Sequence, residues 1–174
     1  GIDADFALVR YLPDGSLDPA FGFGGQVMVG GASDDLARAI LLQPDGMILL
    51  GGRGGPSGGN EFYIVRFTSG GTLDATFGTN GEVTGAMGFG GNEGYAMALQ
   101  PDGKILLAGS AANANDLDFA LLRYNPDGSQ DMDFGIDGAV LTPVGTGTGD
   151  VCYTMVVQPD GKIRVGGGPA RILR

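Results

Sequence analysis

Gln100-Pro101-Asp102-Gly103-Lys104-Ile105-Leu106-Leu107-Ala108-Gly109 is the stretch on which the fold turns. Its first four residues occur earlier as Gln43-Pro44-Asp45-Gly46 and later as Gln158-Pro159-Asp160-Gly161, at spacings of 57 and 58 residues. A second run keeps the same beat: Phe6-Ala7-Leu8-Val9-Arg10-Tyr11, Phe62-Tyr63-Ile64-Val65-Arg66-Phe67 and Phe119-Ala120-Leu121-Leu122-Arg123-Tyr124. Each copy leads through a turn to an aspartate (Asp18, Asp74, Asp131) and then to Phe-Gly (Phe21-Gly22, Phe77-Gly78, Phe134-Gly135). Similarity at a fixed period marks a repeat architecture, in which each unit buries its apolar faces against its neighbours.

Working outward from these runs, the apolar segments of a unit are four to eight residues long, rich in Ile, Val, Leu, Phe and Tyr, and bounded by Pro-Asp-Gly or glycine clusters. That is the pattern of short strands. In the unit that holds the quoted stretch, four strands are predicted: Tyr95 to Leu99, Lys104 to Gly109, Phe119 to Tyr124 and Ala139 to Thr142. In x-Pro-Asp-Gly-x the proline presets the first turn position and the glycine takes the left-handed conformation of a three-residue hairpin loop, so two tight hairpins per unit are expected. A repeated four-stranded antiparallel unit of this size is the pattern of a propeller blade. The fold class is therefore read as all-β, a β-propeller of about three blades in a single repeat domain. The approximate divisions are 1–34, 35–91, 92–149 and 150–174, the first and last being half-blades.

Composition agrees. Of 174 residues, 35 are Gly and 9 are Pro, which long helices do not tolerate, while 43% are apolar, enough to bury a core. The net charge of -10 repels phosphate backbones, so nucleic-acid binding is disfavoured. No apolar run approaches the length of a membrane span. Cys152 is the only cysteine, so no internal disulfide forms and a thiolate zinc site is excluded.

The Gln-Pro-Asp-Gly-Lys-Ile-Leu-Leu-Ala-Gly run at 100 to 109, the Phe-Ala-Leu-Leu-Arg-Tyr run at 119 to 124 and the Leu-Asp-x-x-Phe-Gly run at 73 to 78 resemble the delta-60 repeat family, bacterial β-propeller repeats of undefined role. The resemblance covers nearly the whole chain. Met47 stands in place of Lys in the first unit, Ser69-Gly70-Gly71 in place of Pro-Asp-Gly in the second, and Gln130 in place of Leu before Asp131. The resemblance implies the architecture and a secreted or cell-surface setting. It carries no catalytic residues.

Three units of 57 residues start at a third strand and end after a second. Propellers usually need four to eight blades, and an open arc leaves sheet edges that soluble proteins pair or cover. The expectation is either part of a longer chain or self-association, the simplest ring being a two-fold dimer of six blades. In it, strands one and two of one copy (Tyr153 to Val165) pair with strands three and four of the other (Phe6 to Val29), and the tail from Ala170 to Leu173, which resembles a third strand, competes.

Tight turns fall on one face of such a disc and the irregular connections on the other: 30–35, 84–93 and 143–150 between blades, 53–60 and 110–117 within them. Irregular loops on a rigid scaffold are where binding resides, so the second face is the expected functional face. Just before each innermost strand lie Asp35, Asn92 and Asp150, with Glu93 adjacent and Tyr95 and Tyr153 following. A ring of oxygens of this kind suits a sugar or a hard cation such as Ca²⁺, Asp35 and Asp150 being the metal candidates, whereas local Asx turns account for the same residues without any ligand. Asn113 to Asp118 has hints of calcium-loop spacing but lacks the glycine and distal glutamate, and reads as a turn. Arg10, Arg66 and Arg123 with Asp18, Asp74 and Asp131, and the acidic Asp5, Glu61 and Asp118, recur once per blade and are read as structural blade-to-blade ion pairs. Cys152 aligns with Ala37 and Gly94 and reads as a packed thiol.

With no histidine, a Ser-His-Asp triad is ruled out. Gly55-Pro56-Ser57-Gly58-Gly59 matches Gly-x-Ser-x-Gly but sits between strands, where the strand-to-helix elbow is missing, so Ser57 is a weak nucleophile candidate. Neither a P-loop nor Gly-x-Gly-x-x-Gly occurs. The reading is a non-enzymatic module without cofactor that binds a protein or a glycan on the irregular-loop face. The alternative is a hydrolase using Ser57, or a glycoside hydrolase or lyase using Asp35 and Asp150. Absence of Trp weakens the glycan version, since stacking falls to Phe89, Tyr95 or Tyr153.

Overall fold

The structure, a computed structural model, describes residues 5–30, 34–56, 60–87, 90–144 and 149–169. They form twelve strands and, among the described residues, no helix. Two complete four-stranded antiparallel sheets hold β3 (Leu36–Leu42), β4 (Ile48–Gly54), β5 (Glu61–Phe67) and β6 (Glu82–Gly85), then β7 (Glu93–Leu99), β8 (Ile105–Ala112), β9 (Leu117–Tyr124) and β10 (Ala139–Thr142). They are flanked by two-stranded sheets, β1 (Phe6–Val9) with β2 (Gln26–Val29) and β11 (Asp150–Val157) with β12 (Ile163–Pro169). This is a partial β-propeller. The innermost strands β3, β7 and β11 are neighbours around the axis. Strands one to three of the quoted unit begin or end a few residues beyond the sequence-based limits, because the ladder continues into Glu93, Ala112 and Leu117.

The Gln-Pro-Asp-Gly turns close as expected: Gln43 N donates to Met47 O at 2.8 Å and Gly46 N to Gln43 O at 2.9 Å, with Gly46 at φ 87°. Asp45 Oδ1 accepts from Met47 N at 3.0 Å, the Asx contact that makes Asp suitable there. The second expected tight hairpin is different. After β5 the chain turns at Thr68 to Gly71, touches back through a Phe67–Leu73 bridge, and turns again through Asp74 to Gly81, whose carbonyl accepts from Arg66 N at 2.9 Å, before β6 pairs with Phe62 to Val65. The local turn chemistry is present, but the fourth strand pairs with the start of the third, so the connection must travel back along it.

That excursion is a joint between blades. Arg66 Nε pairs with Asp74 Oδ2 at 2.7 Å within one blade, its guanidinium lies 4.4 Å from the Phe77 ring centroid, and Nη1 donates to Pro126 O of the next blade at 2.7 Å. Gly78 N donates to Asp127 O beside it at 2.8 Å. Arg10, Asp18, Phe21 and Gly22 repeat the arrangement on Ser69 O and Gly70 O. The recurrent ion pairs are therefore not blade-to-blade, contrary to the expectation from recurrence alone. The carboxylate orients the arginine inside its own blade, and the crossing bonds run to backbone carbonyls.

Two apolar clusters fill the gaps between sheets. Phe6, Leu8 and Phe21 meet Ile48, Leu50, Tyr63, Val65 and Phe67, while Leu49, Phe62, Ile64 and Phe77 meet Ile105, Leu107, Ala120, Leu122 and Tyr124. Alternate residues of β4 and β5 thus serve opposite gaps, which is why these strands read as unbroken apolar runs.

Candidate binding site

Each innermost strand carries a β-bulge, between Ala37 and Ala39, between Gly94 and Ala96, and between Cys152 and Thr154. The extra residue in each is Arg38, Tyr95 and Tyr153, three equivalent positions. A bulge re-aims a side chain, and here it does so once per blade at the axis. Local sequence permits it: a Cβ at Gly52, Gly109 or Gly167 on the second strand would strike the carbonyl oxygen of Leu36, Glu93 or Val151, so only glycine admits the bulged neighbour.

The three side chains form one row. The Arg38 guanidinium lies 5.5 Å from the Tyr95 ring centroid, and Tyr95 meets Tyr153 edge to face at 5.1 Å. Glu93 binds the row together: Oε1 accepts from Arg38 Nη2 at 2.8 Å and from Nε at 3.1 Å, and Oε2 accepts from the Tyr95 hydroxyl at 2.9 Å. Arg38 Nη1 carries no hydrogen bond among the described residues. Burial, then the Glu93 carboxylate, pushes the Tyr95 hydroxyl up to about 12, so it stays protonated and donates at neutral pH. Tyr153 is 49% exposed and offers its ring beside the recess formed by Thr154 and Gly166 to Pro169. Glu93, Tyr95 and Tyr153 are thus brought together, and Arg38 joins them. Its aligned position holds Tyr in the other two units, so no recurrent letter marks it.

The oxygen-bearing residues one step earlier sit differently. Asp35, Asn92 and Asp150 are all buried. Asp35 Oδ1 accepts from Gly55 N at 2.9 Å. Asn92 accepts from Met87 N at 3.1 Å and donates to Asn60 O at 3.2 Å. At Asp35 and Asn92 these bonds brace the irregular loops over sequence separations of 20, 5 and 32 residues, so none of them is the local Asx turn expected from the sequence. Among the described residues no group of three or more His, Cys, Asp or Glu side chains is placed to hold a metal ion. Asn113 closes a turn on Asn115 N and Asp116 N at 2.6 and 2.9 Å. Ser57 and Phe89, like the tail from Ala170, lie outside the described residues. Cys152 is fully buried, with Sγ 3.5 Å from Thr154 O, and desolvation pushes its thiol up.

A family model described as "Domain of unknown function (DUF5122) beta-propeller" matches residues 3–21, 43–77 and 100–134, half of the chain. The chain belongs to this β-propeller family. No curated protein matches it. In the second and third units the DUF5122 matches run from the Gln-Pro-Asp-Gly turn to the phenylalanine of Phe-Gly, and so take in β4, β5, β8, β9 and the interblade joint. The innermost strands with Arg38, Glu93, Tyr95 and Tyr153 fall outside all three matches. The DUF5122 matches cover scaffold strands, and the axial row lies in the segments between and after them. No helix among the described residues is long and apolar enough to cross a membrane.

Proposed function

We propose that the chain is a non-enzymatic propeller module that binds a partner protein at the irregular-loop end of its axis, with Arg38, Tyr95 and Tyr153 as anchors. The observation that carries this reading is the row itself. Arginine and tyrosine are among the residue types that dominate binding energy at protein interfaces, and here Glu93 holds two of them in place before any partner arrives, which lowers the entropy cost of docking. A glycan is the second reading, favoured by the Tyr153 ring beside the Glu93 and Arg38 polar groups. An extracytoplasmic setting, implied by the delta-60 resemblance, is part of the proposal. Peptide-display and glycan-array screens of the intact chain test it. A ligand found in either should bind Tyr153→Ala about thirtyfold more weakly, the loss of one anchor worth roughly 2 kcal/mol. Unchanged binding by both Tyr153→Ala and Arg38→Ala, with circular dichroism intact, would place the function elsewhere.

A further inference from the structure

The joint between blades appears twice in full and once in two separate halves. At the full joints the turn after a third strand slides under the Phe-Gly corner of the preceding blade. A Cβ at Gly71 would meet Gly22 N and the Phe21 ring, and one at Gly128 would meet Gly78 N and the Phe77 ring. A Cβ at Gly15, the same turn position with φ 86°, would meet nothing within 4 Å among the described residues. The complementary half lies at the other end. Phe134 is only partly buried where Phe21 and Phe77 are 0% exposed, and Gly135 N makes no such bond among the described residues. Arg123 already holds the pose of Arg66. Its Nε pairs with Asp131 at 2.6 Å, the guanidinium lies 4.4 Å from the Phe134 ring centroid, and among the described residues Nη1 has found only Gln100 Oε1 at 3.5 Å.

The sheet faces agree. Tyr11 is 62% exposed, whereas its equivalents Phe67 and Tyr124 are 1% exposed. Val9 is exposed where Val65 and Leu122 are fully buried, and Val165 is exposed where Leu107 is fully buried. In both complete sheets the second and third strands pair Ile48 with Phe67 and Leu50 with Val65, or Ile105 with Tyr124 and Leu107 with Leu122. Carried over to the open edges, that register sets Ile163 against Tyr11 and Val165 against Val9.

We infer that two copies of this chain close a six-sheet ring, the β1–β2 pair of each completing the β11–β12 sheet of the other and seating its Leu12 to Gly15 turn on Arg123 and Gly135. A second copy is the occupant because the chain carries both halves of the joint with matching register, and because three sheets per copy bring two copies to a ring size that propellers adopt. Pairing of this kind is isologous and closes on itself. The axial rows of the two copies then line one channel, although the pairing does not depend on what the row binds. Since each copy carries a net charge of -10, added salt should strengthen the assembly.

Light scattering after size exclusion, at micromolar concentration, should give twice the 17.7 kDa of one chain. Tyr11→Glu and Val165→Glu, placed on opposite sides of the same seam, should each weaken association by about a hundredfold or more, with strand content unchanged in far-ultraviolet circular dichroism. A wild-type mass of one chain, an open series of larger species, or dimers that survive both substitutions would overturn the inference.

Discussion

Arg66 and Arg10 make the same bonds in different surroundings, and replacing each by alanine separates geometry from burial. In the Arg66–Asp74 pair the side chains are 11% and 9% exposed, against 38% and 16% in the Arg10–Asp18 pair. Arg66→Ala leaves the Asp74 carboxylate with Thr76 as its remaining side-chain donor at 2.7 Å, removes the 2.7 Å bond to Pro126 O, and bares one face of Phe77. Breaking a buried pair from one side costs about 3 kcal/mol or a little more, because the surviving charge stays desolvated. Arg10→Ala lets water replace the guanidinium and should cost no more than about 1 kcal/mol. With a urea slope of about 2 kcal/mol per molar, the midpoint should fall by ~1.5 M for Arg66→Ala and by under ~0.5 M for Arg10→Ala. Arg66→Lys should lie close to Arg66→Ala, since one ammonium cannot span carboxylate, carbonyl and ring together. Equal midpoint shifts for the two alanine variants would refute the assignment of the joint's strength to burial.

Tyr124 is 1% exposed with a hydroxyl that finds no partner among the described residues, so Tyr124→Phe removes an unmet polar group and should raise the melting temperature by roughly 2 to 4 °C, measured calorimetrically. Cys152 should resist a thiol reagent at pH 8 in the native protein and react stoichiometrically in denaturant, because burial both hides the sulfur and disfavours its thiolate. Spectroscopic titration should find Tyr95 ionising near 12 and at a lower pH in Glu93→Gln, since the carboxylate that raises it is gone. Bonds from Thr76, then from Arg66, hold the Asp74 carboxyl below its ordinary 3.8; its contribution to stability is therefore complete above about pH 4 and is lost as pH falls through the native value. Urea midpoints at pH 7 and pH 3 should accordingly differ less in Asp74→Asn than in the wild type.

Much of the architecture is legible in the sequence because period and turn chemistry agree: Gln-Pro-Asp-Gly sets the hairpin between the first and second strands of a unit, and alternate residues of Phe62 to Phe67 must face two gaps. The interblade joint is only half legible. Recurrence ties Arg66 to Asp74, yet the acceptors on the next blade are the carbonyls of Pro126 and Asp127, and a carbonyl leaves no letter in a sequence. The axial row is hidden for a related reason. A bulge shifts register by one residue, and its trace is the glycine opposite, Gly52, Gly109 and Gly167, which a chain this rich in glycine conceals. Tyr95 and Tyr153 stand out as aromatic candidates from their letters alone, while Arg38 needs the bulge to be seen.

Because the turn seated at each described joint accepts these polar bonds through main-chain carbonyls, its first two residues are at liberty to change their side chains, while the glycine after them is not: Ser69-Gly70 serves as well as Pro126-Asp127 ahead of Gly71 and Gly128. Such couplings are generic. One unit can be duplicated, deleted or transplanted beside another without a matching change in these polar contacts, and only the apolar side chains that fill the gap have to remain compatible across the seam.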